Sequence, residues 1–560
     1  MSSNHSKKKG AVFAREHKTC TDRGNKLWKD AQARSSPNQH VHDSLSSLLW
    51  NSRTSTSNDL ANYFIPLNKL VLARDRRLAK HALQESDTPP EQINTLLSRI
   101  CDAGDRTIFR IFAILILCER TRDIKRFIDG KIDDSYLPLP GIEKNGNNII
   151  ALQQHARRKI ENKKLNTIFK GWSRNDLTAF NNYQWWAIAP FFGREKSTIP
   201  HYVLEPSDIL PIVEKRDKLD LEVEKLDKEV QDLFQGGFGD VSLVKLHPSH
   251  YYFPDQPYCD GDNLFALKRL RSRNRNEFQA EVNALRKYDH GIDEHQIPLL
   301  ATFEKDDDAG RFYMLFPKAN GDLRHFWETE FTLSMDPALE SWMARQCLGL
   351  ARTLSIIHKD QSRDNTPNAH GRHGDIKAGN ILWFSKPNTF GPSGWRLVLA
   401  DFGLTTFHRA LTISAQTAGK LHRTVTYQAP EFDIVGAKVS RKSDIWALGC
   451  TYLDFATCFV LGYGAVQNDF PTCRAEQDER LGISEDKFYH IEADRTSAVL
   501  KTSVRDWIVL LRTNPKSTPY LNEFLSLIED RMLCIDAQDR PTASQVADAL
   551  QALIGTSPRR

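Results

Sequence analysis

At 560 residues the chain exceeds what one hydrophobic core supports, and at roughly 150 residues per domain it divides into about three or four units. Its 40 % apolar and 26 % charged residues are ordinary for a soluble globular protein. The net charge of +5 is concentrated at the start: residues 1 to 40 hold nine Lys/Arg against three acids, which leaves the rest nearly neutral. Net charge therefore gives no support for nucleic-acid binding by the folded body.

Residues 1–57 are polar, basic and Ser/Asn-rich and are expected to form a disordered tail. No apolar segment follows Met1 as a secretory leader would require. The longest apolar stretch, Ile111–Cys118, is far shorter than the ~20 residues that span a bilayer. The expectation is no membrane partner and a buried helix instead. Nine scattered cysteines include no C-x-x-C pair, which points to free thiols in a reducing compartment, cytoplasmic and/or nuclear.

Residues 58–212 read as a helical N-terminal domain. Apolar residues recur at helical spacing from Leu60 to Leu83, Gln92 to Cys101 and Arg106 to Ile128, as in Ile108, Ile111, Phe112 and Leu115. An aromatic cluster comes next, Trp172, Phe180, Tyr183, Trp185, Trp186, Phe191 and Phe192. Interleaved Lys and Arg could suit base stacking, but the apolar neighbours Ala187, Ile188 and Ala189 favour packing against the next domain. From Val213 to Phe234 the apolar positions Leu219, Val223, Leu226, Val230 and Leu233 alternate four and three apart. That pattern predicts an amphipathic linker helix, or an atypical first strand of the next domain.

Gly236, Gly237, Phe238, Gly239 and Val241 form a glycine turn running into a strand, where backbone N–H groups can approach phosphates without obstruction by Cβ. Phe265-Ala266-Leu267-Lys268 places a Lys on a second strand, and Glu281 lies on a helical face with Phe278, Val282 and Leu285. His247 and His250, three apart with no Cys pair nearby, predict a turn before a metal site. The most informative run is His373-Gly374-Asp375-Ile376-Lys377-Ala378-Gly379-Asn380, with Asp401-Phe402-Gly403 downstream of it. Asp and Asn five apart, then a second Asp before Gly, supply a base for a hydroxyl nucleophile and two oxygen ligands for Mg²⁺.

With these motifs in this order, the chain resembles the eukaryotic protein kinase family over residues 225–555. The resemblance implies an α+β bilobal fold, a small β-rich lobe and a large helical lobe; the all-α N-terminal domain read from periodicity precedes it and could bind a partner or regulate. It implies ATP and Mg²⁺ as cofactors and a protein as substrate. Asp375 would be the catalytic base, Lys377 would steady the transferring phosphoryl group, and Asn380 and Asp401 would hold the metal. Lys268 would pair with Glu281 and meet the phosphates. Leu315 would stand as gatekeeper in Phe312–Ala319, with the backbones of Phe316 and Lys318 against the adenine, and Ala266 and Val241 near it. His373, Phe402, Gly403, Asp444, Glu431 and Arg540 would be structural, the last two as an ion pair, and Asp444 as a brace for the catalytic loop.

Lys377, Leu404 after Gly403, and Thr424 before Tyr427-Gln428-Ala429-Pro430-Glu431 resemble Ser/Thr kinases. The His-Gly-Asp triplet instead resembles small-molecule kinases of the aminoglycoside and choline type. A third reading is a nucleotide-binding pseudokinase scaffold, since Phe234 stands where the family's first loop Gly belongs. The helical block, the Trp pair and the His-Gly-Asp loop together resemble kinases of filamentous fungi. Because Gly374 replaces the family's usual Arg, the resemblance also implies activity without phosphorylation in Leu404–Arg423. His358–His373 reads as an exposed loop.

Overall fold

The computed structural model describes residues 44–56, 59–102, 104, 106–145, 148–151, 160–193, 199–217, 239–253, 263–287, 295–306, 310–331, 337–358, 372–386, 389, 391–401, 426–478 and 483–556. The chain divides into two compact units. One comprises Met1–Leu226, Asp240–Arg271 and Leu300–Leu315; the other comprises Asp227–Gly239, Ser272–Leu299 and Phe316–Arg560.

In the first unit, helices α1 (Leu45–Asn51), α2 (Arg76–Glu85), α3 (Pro90–Cys101), α4 (Phe109–Leu117) and α5 (Arg174–Ala187) surround one apolar interior. The helix starts reflect local chemistry. Asp75 accepts from the N–H groups of Arg77 and Leu78 at the head of α2, and Ser173 and Asp176 form a reciprocal capping box on α5. α4 lacks a side-chain cap of its own. Asp134 supplies one from a distance, accepting from Arg110 N (3.2 Å) and Ile111 N (3.0 Å). Every α4 residue except Arg110 is buried, so α4 is the central helix of this block. Two antiparallel pairs, Thr54–Thr56 with Asp59–Phe64 and Ile142–Asn145 with Asn148–Ala151, accompany the helices.

Two expectations need correction here. Residues 45–56 belong to the fold and not to a disordered tail: Ser44 caps α1, and Leu45 and Leu49 are buried in the shared interior. Their apolar side chains recur at helical spacing, a signal masked by the Ser-rich composition around them. The aromatic cluster also packs inside the block itself. Trp172, 1 % exposed, donates to Asp123 (2.8 Å) and packs edge-on against Phe169 and Phe180. Only Phe192 leaves it, to join the interior of the adjoining sheet.

That sheet has six strands, β1 (His201–Leu204), β2 (Ile212–Asp217), β3 (Gly239–Leu246), β4 (Leu264–Leu270), β5 (Ala301–Lys305) and β6 (Phe312–Pro317), in the spatial order β1-β5-β6-β4-β3-β2. β1 runs parallel to β5, with Tyr202 opposite Phe303, and β2 runs antiparallel to β3. Both edges of the sheet therefore come from the segment assigned by sequence to the N-terminal domain or its linker. Of Val213–Phe234, residues up to Asp217 are strand, and 218–238 lie outside the described residues.

The helical block and the sheet are one unit because polar and apolar contacts join them. His250, 2 % exposed, accepts from Leu67 N (3.0 Å), donates from Nδ1 to Pro190 O (2.9 Å), and receives the Phe64 ring edge-on at 5.3 Å. Burial pushes its pKa down to about 3, which keeps the ring neutral with one donor and one acceptor nitrogen. His247 and His250 thus serve a turn and its packing, with no metal cluster among the described residues.

The second unit is built on α8 (Pro337–His358) and α9 (Lys442–Leu461), with α6 (Arg275–Lys287), the short α7 (Leu323–Thr329), α10 (Thr502–Thr513) and α11 (Ala543–Thr556). α9 is apolar and long enough to pass for a membrane span, yet 94 % of its apolar window is buried in the protein. β7 (Gly321–Asp322), β8 (Ile381–Ser385) and β9 (Trp395–Leu399) form a small antiparallel sheet. Between α9 and α10 lie two hairpins that no sequence pattern announced, β10 (Glu476–Asp478) with β11 (Ile483–Glu485) and β12 (Tyr489–Ile491) with β13 (Ala498–Leu500).

Candidate active site

The catalytic run lies between the end of α8 and β8, and its backbone is fixed from below by α9. Asp444, 2 % exposed in the first turn of α9, accepts from His373 N (2.9 Å), Gly374 N (2.9 Å) and His358 Nε2 (2.8 Å). Burial raises its pKa, but the hydrogen bond and charge of His358, the charge of His373 and the Gly374 N–H outweigh burial and hold it below the usual carboxylate range. His373 is fully buried, and its Nε2 meets Ala400 O at 3.0 Å. One buried carboxylate thus sets the two residues before Asp375, while His373 ties that loop to the strand end before Asp401.

Asp375 is partly exposed, and its two carboxylate oxygens differ. Oδ2 accepts from Asn380 Nδ2 (2.8 Å) and pairs with Lys377 Nζ (2.8 Å). Asn380 Nδ2 also donates to Asp375 O (2.8 Å). Oδ1 has no protein donor among the described residues, so one oxygen is pinned and the other can accept a proton. Asn380 closes the short 3₁₀ turn Ala378–Asn380, and Ala400 N donates to Asn380 O (2.9 Å). That bond sets Asp401 beside Asn380. Asn380 directs its amide N–H group at Asp375, so its side-chain oxygen and the Asp401 carboxylate are hard oxygen donors that could hold a cation such as Mg²⁺.

Gly374 has φ +83° and Asp401 φ +61°. The first value explains a glycine at 374 in purely local terms, since the left-handed region penalises any Cβ. Arg372, on the other side of His373, lies over the Phe432 ring at 5.7 Å. Burial pulls its pKa down against the opposing charges of Asp444 and Glu431.

Glu431 and Arg540 form a buried two-pronged ion pair, Nη1–Oε1 2.9 Å and Nη2–Oε2 2.8 Å. Arg540 also donates to the carbonyls of Cys534, Ile535 and Lys442. The pair fastens the Ala429-Pro430-Glu431 end of the segment to the base of the second unit.

The remaining predicted residues divide between the units. In the first, Lys268 (8 % exposed) is buried on β4, Ala266 is half-buried on β4, Leu315 is buried on β6, and Val241 is exposed on β3. In the second, Glu281 (7 % exposed) lies on α6, Phe316 is buried and Lys318 exposed. Gly239 opens β3. Gly236, Gly237, Phe238, Phe402, Gly403 and the segment Leu404–Arg423 lie outside the described residues.

Sequence reasoning missed a polar cluster behind the segment that leads to Glu431. Tyr427 donates to Asp454 Oδ2 (2.6 Å) and Thr426 to Asp486 Oδ1 (2.6 Å). Arg474, 2 % exposed, lies between the rings of Phe470 (4.0 Å) and Phe488 (4.3 Å) and reaches Asp454 Oδ1 at 3.9 Å and Asp486 Oδ2 at 3.7 Å. Burial, only partly offset by Arg474 and Tyr427, pushes the Asp454 pKa up to about 6. These residues come from four separate elements, and their only sequence signal is a pair of acids in otherwise apolar α9. His358 was also missed; its signal is a His closing an apolar helix.

The protein kinase domain family model matches residues 258–550, just over half of the 560 residues, and the chain belongs to the protein kinase family. It is similar to pollen receptor-like kinase 2 of Arabidopsis thaliana, at 27 % identity over 38 % of this chain and 28 % of that protein. It is also similar to a proline-rich receptor-like protein kinase of Arabidopsis thaliana, at 24 % identity over 57 % of this chain and 40 % of the other. A probable serine/threonine-protein kinase of Dictyostelium discoideum matches at 26 % identity over 41 % of this chain and 26 % of its own length. The chain thus spans between about a quarter and two-fifths of the relatives it matches.

Proposed function

We propose that the chain transfers the γ-phosphoryl group of ATP to Ser or Thr hydroxyls of proteins, with Asp375 as base. The single observation that carries this reading is the asymmetry of Asp375: Oδ2 is held by Lys377 and Asn380, while Oδ1 is left to accept the hydroxyl proton. Lys377 would offset negative charge on the transferring group, and buried Lys268 would serve the nucleotide phosphates. Asn380 and Asp401 would hold Mg²⁺, which supplies charge neutralisation on the phosphates when bound. The free thiols of all seven described cysteines suit a reducing compartment, cytoplasmic or nuclear.

The test is incubation of the purified chain with labelled ATP, Mg²⁺, generic protein substrates, and aminoglycoside and choline acceptors, with Asp401→Asn as control. Label on protein Ser/Thr supports the proposal. Label on small molecules alone, or nucleotide binding without transfer, refutes it. Asp375→Asn is expected to lower kcat by about 10²- to 10⁴-fold, and an unchanged rate would remove Asp375 from the chemistry.

A further inference from the structure

Beside the catalytic run, Arg324 and Gly379 meet. Arg324 lies in the first turn of α7, whose N-cap is Asp322. Asp322 uses Oδ1 to cap the helix through His325 N (3.0 Å) and Oδ2 to hold Arg324 Nη2 (2.9 Å). A Cβ on Gly379 would come within 2.9 Å of that same Nη2. Glycine at 379 therefore leaves the guanidinium its place against the Ala378–Asn380 turn. The next residue, Asn380, is the one whose amide holds the Asp375 carboxylate.

Three properties fit this cation to a ligand. Its side chain is 43 % exposed. An Arg carries five donors in a planar fork, and among the described residues only one of them is engaged, by Asp322. Asp322 in turn has both oxygens committed, so it orients the fork without occupying its other edge. Around it stand Tyr427, in the stretch that ends at Glu431, and Tyr463. Both are neutral hydroxyls near pH 7, since burial raises the pKa of each. The guanidinium therefore keeps an open, solvent-facing edge beside the turn that holds Asp375, with its charge already partly balanced by Asp322.

We propose that Arg324 is a specificity-determining residue that receives an anionic side chain, carboxylate or phosphate, lying within a few residues of the phosphoacceptor in the substrate. An extended peptide advances ~3.3 Å per residue, so a group seated on Arg324 belongs close in sequence to the hydroxyl at Asp375. The planar fork suits two-pronged binding of a carboxylate or phosphate. This inference rests on the reading of the chain as a protein kinase.

The experiment uses the full chain, labelled ATP and Mg²⁺ with a set of otherwise identical Ser peptides. Each carries Ala, Asp, phosphoserine or Arg at one of the four positions on either side of the acceptor. At one or two positions Asp or phosphoserine is expected to raise kcat/KM about tenfold over Ala, mainly through KM, and the stronger of the two identifies the source of the anion. Arg324→Glu should reverse the ratio between the acidic and Arg peptides at those positions. Arg324→Gln, which keeps length without charge, should bring the ratio toward one and covers the case in which the reversal variant does not fold. Wild type that phosphorylates the Ala peptide with no preference for an anion, or with a preference both variants retain, overturns the inference and leaves the kinase reading intact. Transfer to small acceptors and to none of the peptides overturns both.

Discussion

Replacing Asp444 by Asn changes no volume and removes one acceptor oxygen from under the catalytic loop. In the native protein Oδ1 accepts from Gly374 N, and Oδ2 accepts from His373 N and His358 Nε2. An Asn offers one oxygen and one NH₂. If its oxygen takes the Oδ2 place, the NH₂ opposes the Gly374 N–H; if it takes the other, two donors lose their acceptor. Each buried donor left unpaired costs about 1–3 kcal/mol, and the bonds to a charged acceptor are the stronger kind. The expected destabilisation is therefore about 2–5 kcal/mol at pH 7. Urea unfolding monitored by tryptophan fluorescence suits the measurement, because Trp446 is fully buried two residues away. The pH dependence has a definite sign. The Asp444 pKa is depressed in the fold from 3.8, so its contribution is present above about pH 4 and lost as pH falls through the lower folded value. The gap between wild type and variant should thus be full at pH 7 and close in acid. An unfolding free energy within about 0.5 kcal/mol of wild type at pH 7 would refute the argument that this carboxylate carries the loop.

Arg540→Ala leaves Glu431 buried without its partner and is expected to cost about 3–5 kcal/mol in a denaturant titration. Arg540→Lys should recover less than half of that, because a single ammonium cannot reproduce the fork; full recovery would show that charge alone suffices. Asp454 behaves oppositely to Asp444. Its pKa is raised from 3.8 to about 6 in the fold, so stability present below about pH 4 is lost as pH rises through 6, a change of about 3 kcal/mol relative to Asp454→Asn. A pH-independent difference between those two proteins would contradict the burial argument. Gly374→Arg should lower stability by about 1–2 kcal/mol through its positive φ alone, and an unchanged melting temperature would mean that the loop adopts another backbone.

The ordered motifs made the catalytic loop legible in the sequence, because the proposed phosphoryl transfer would use Asp375, Lys377, Asn380 and Asp401 as chemical groups at short, fixed spacing. Asp444, Glu431 and Arg540 could be named because family resemblance carried them, while the direction of each hydrogen bond could not. Helical periodicity located α2, α3 and α4 for a simple reason: a helix buries one stripe of side chains, and the stripe is written at spacings of three and four. β1 escaped notice, and β2 was anticipated only as the second of two readings of Val213–Phe234. Each is a short strand in a charged or proline-flanked stretch, and an edge strand is stabilised by its neighbour's backbone more than by its own pattern.

Residue order alone was enough to name the candidate reacting groups, the apolar stripes and the near-neutral charge of the folded body. Packing of distant segments was needed to bring residues 45–56 into the interior, to make His250 the lock between the helical block and the sheet, and to gather Tyr427, Asp454, Arg474 and Asp486 into one buried cluster. It also rests Arg324 on Gly379. One cause underlies the whole division. Periodicity and local motifs record interactions within a few residues, whereas burial of charge and pairing of strand edges depend on partners tens to hundreds of residues away.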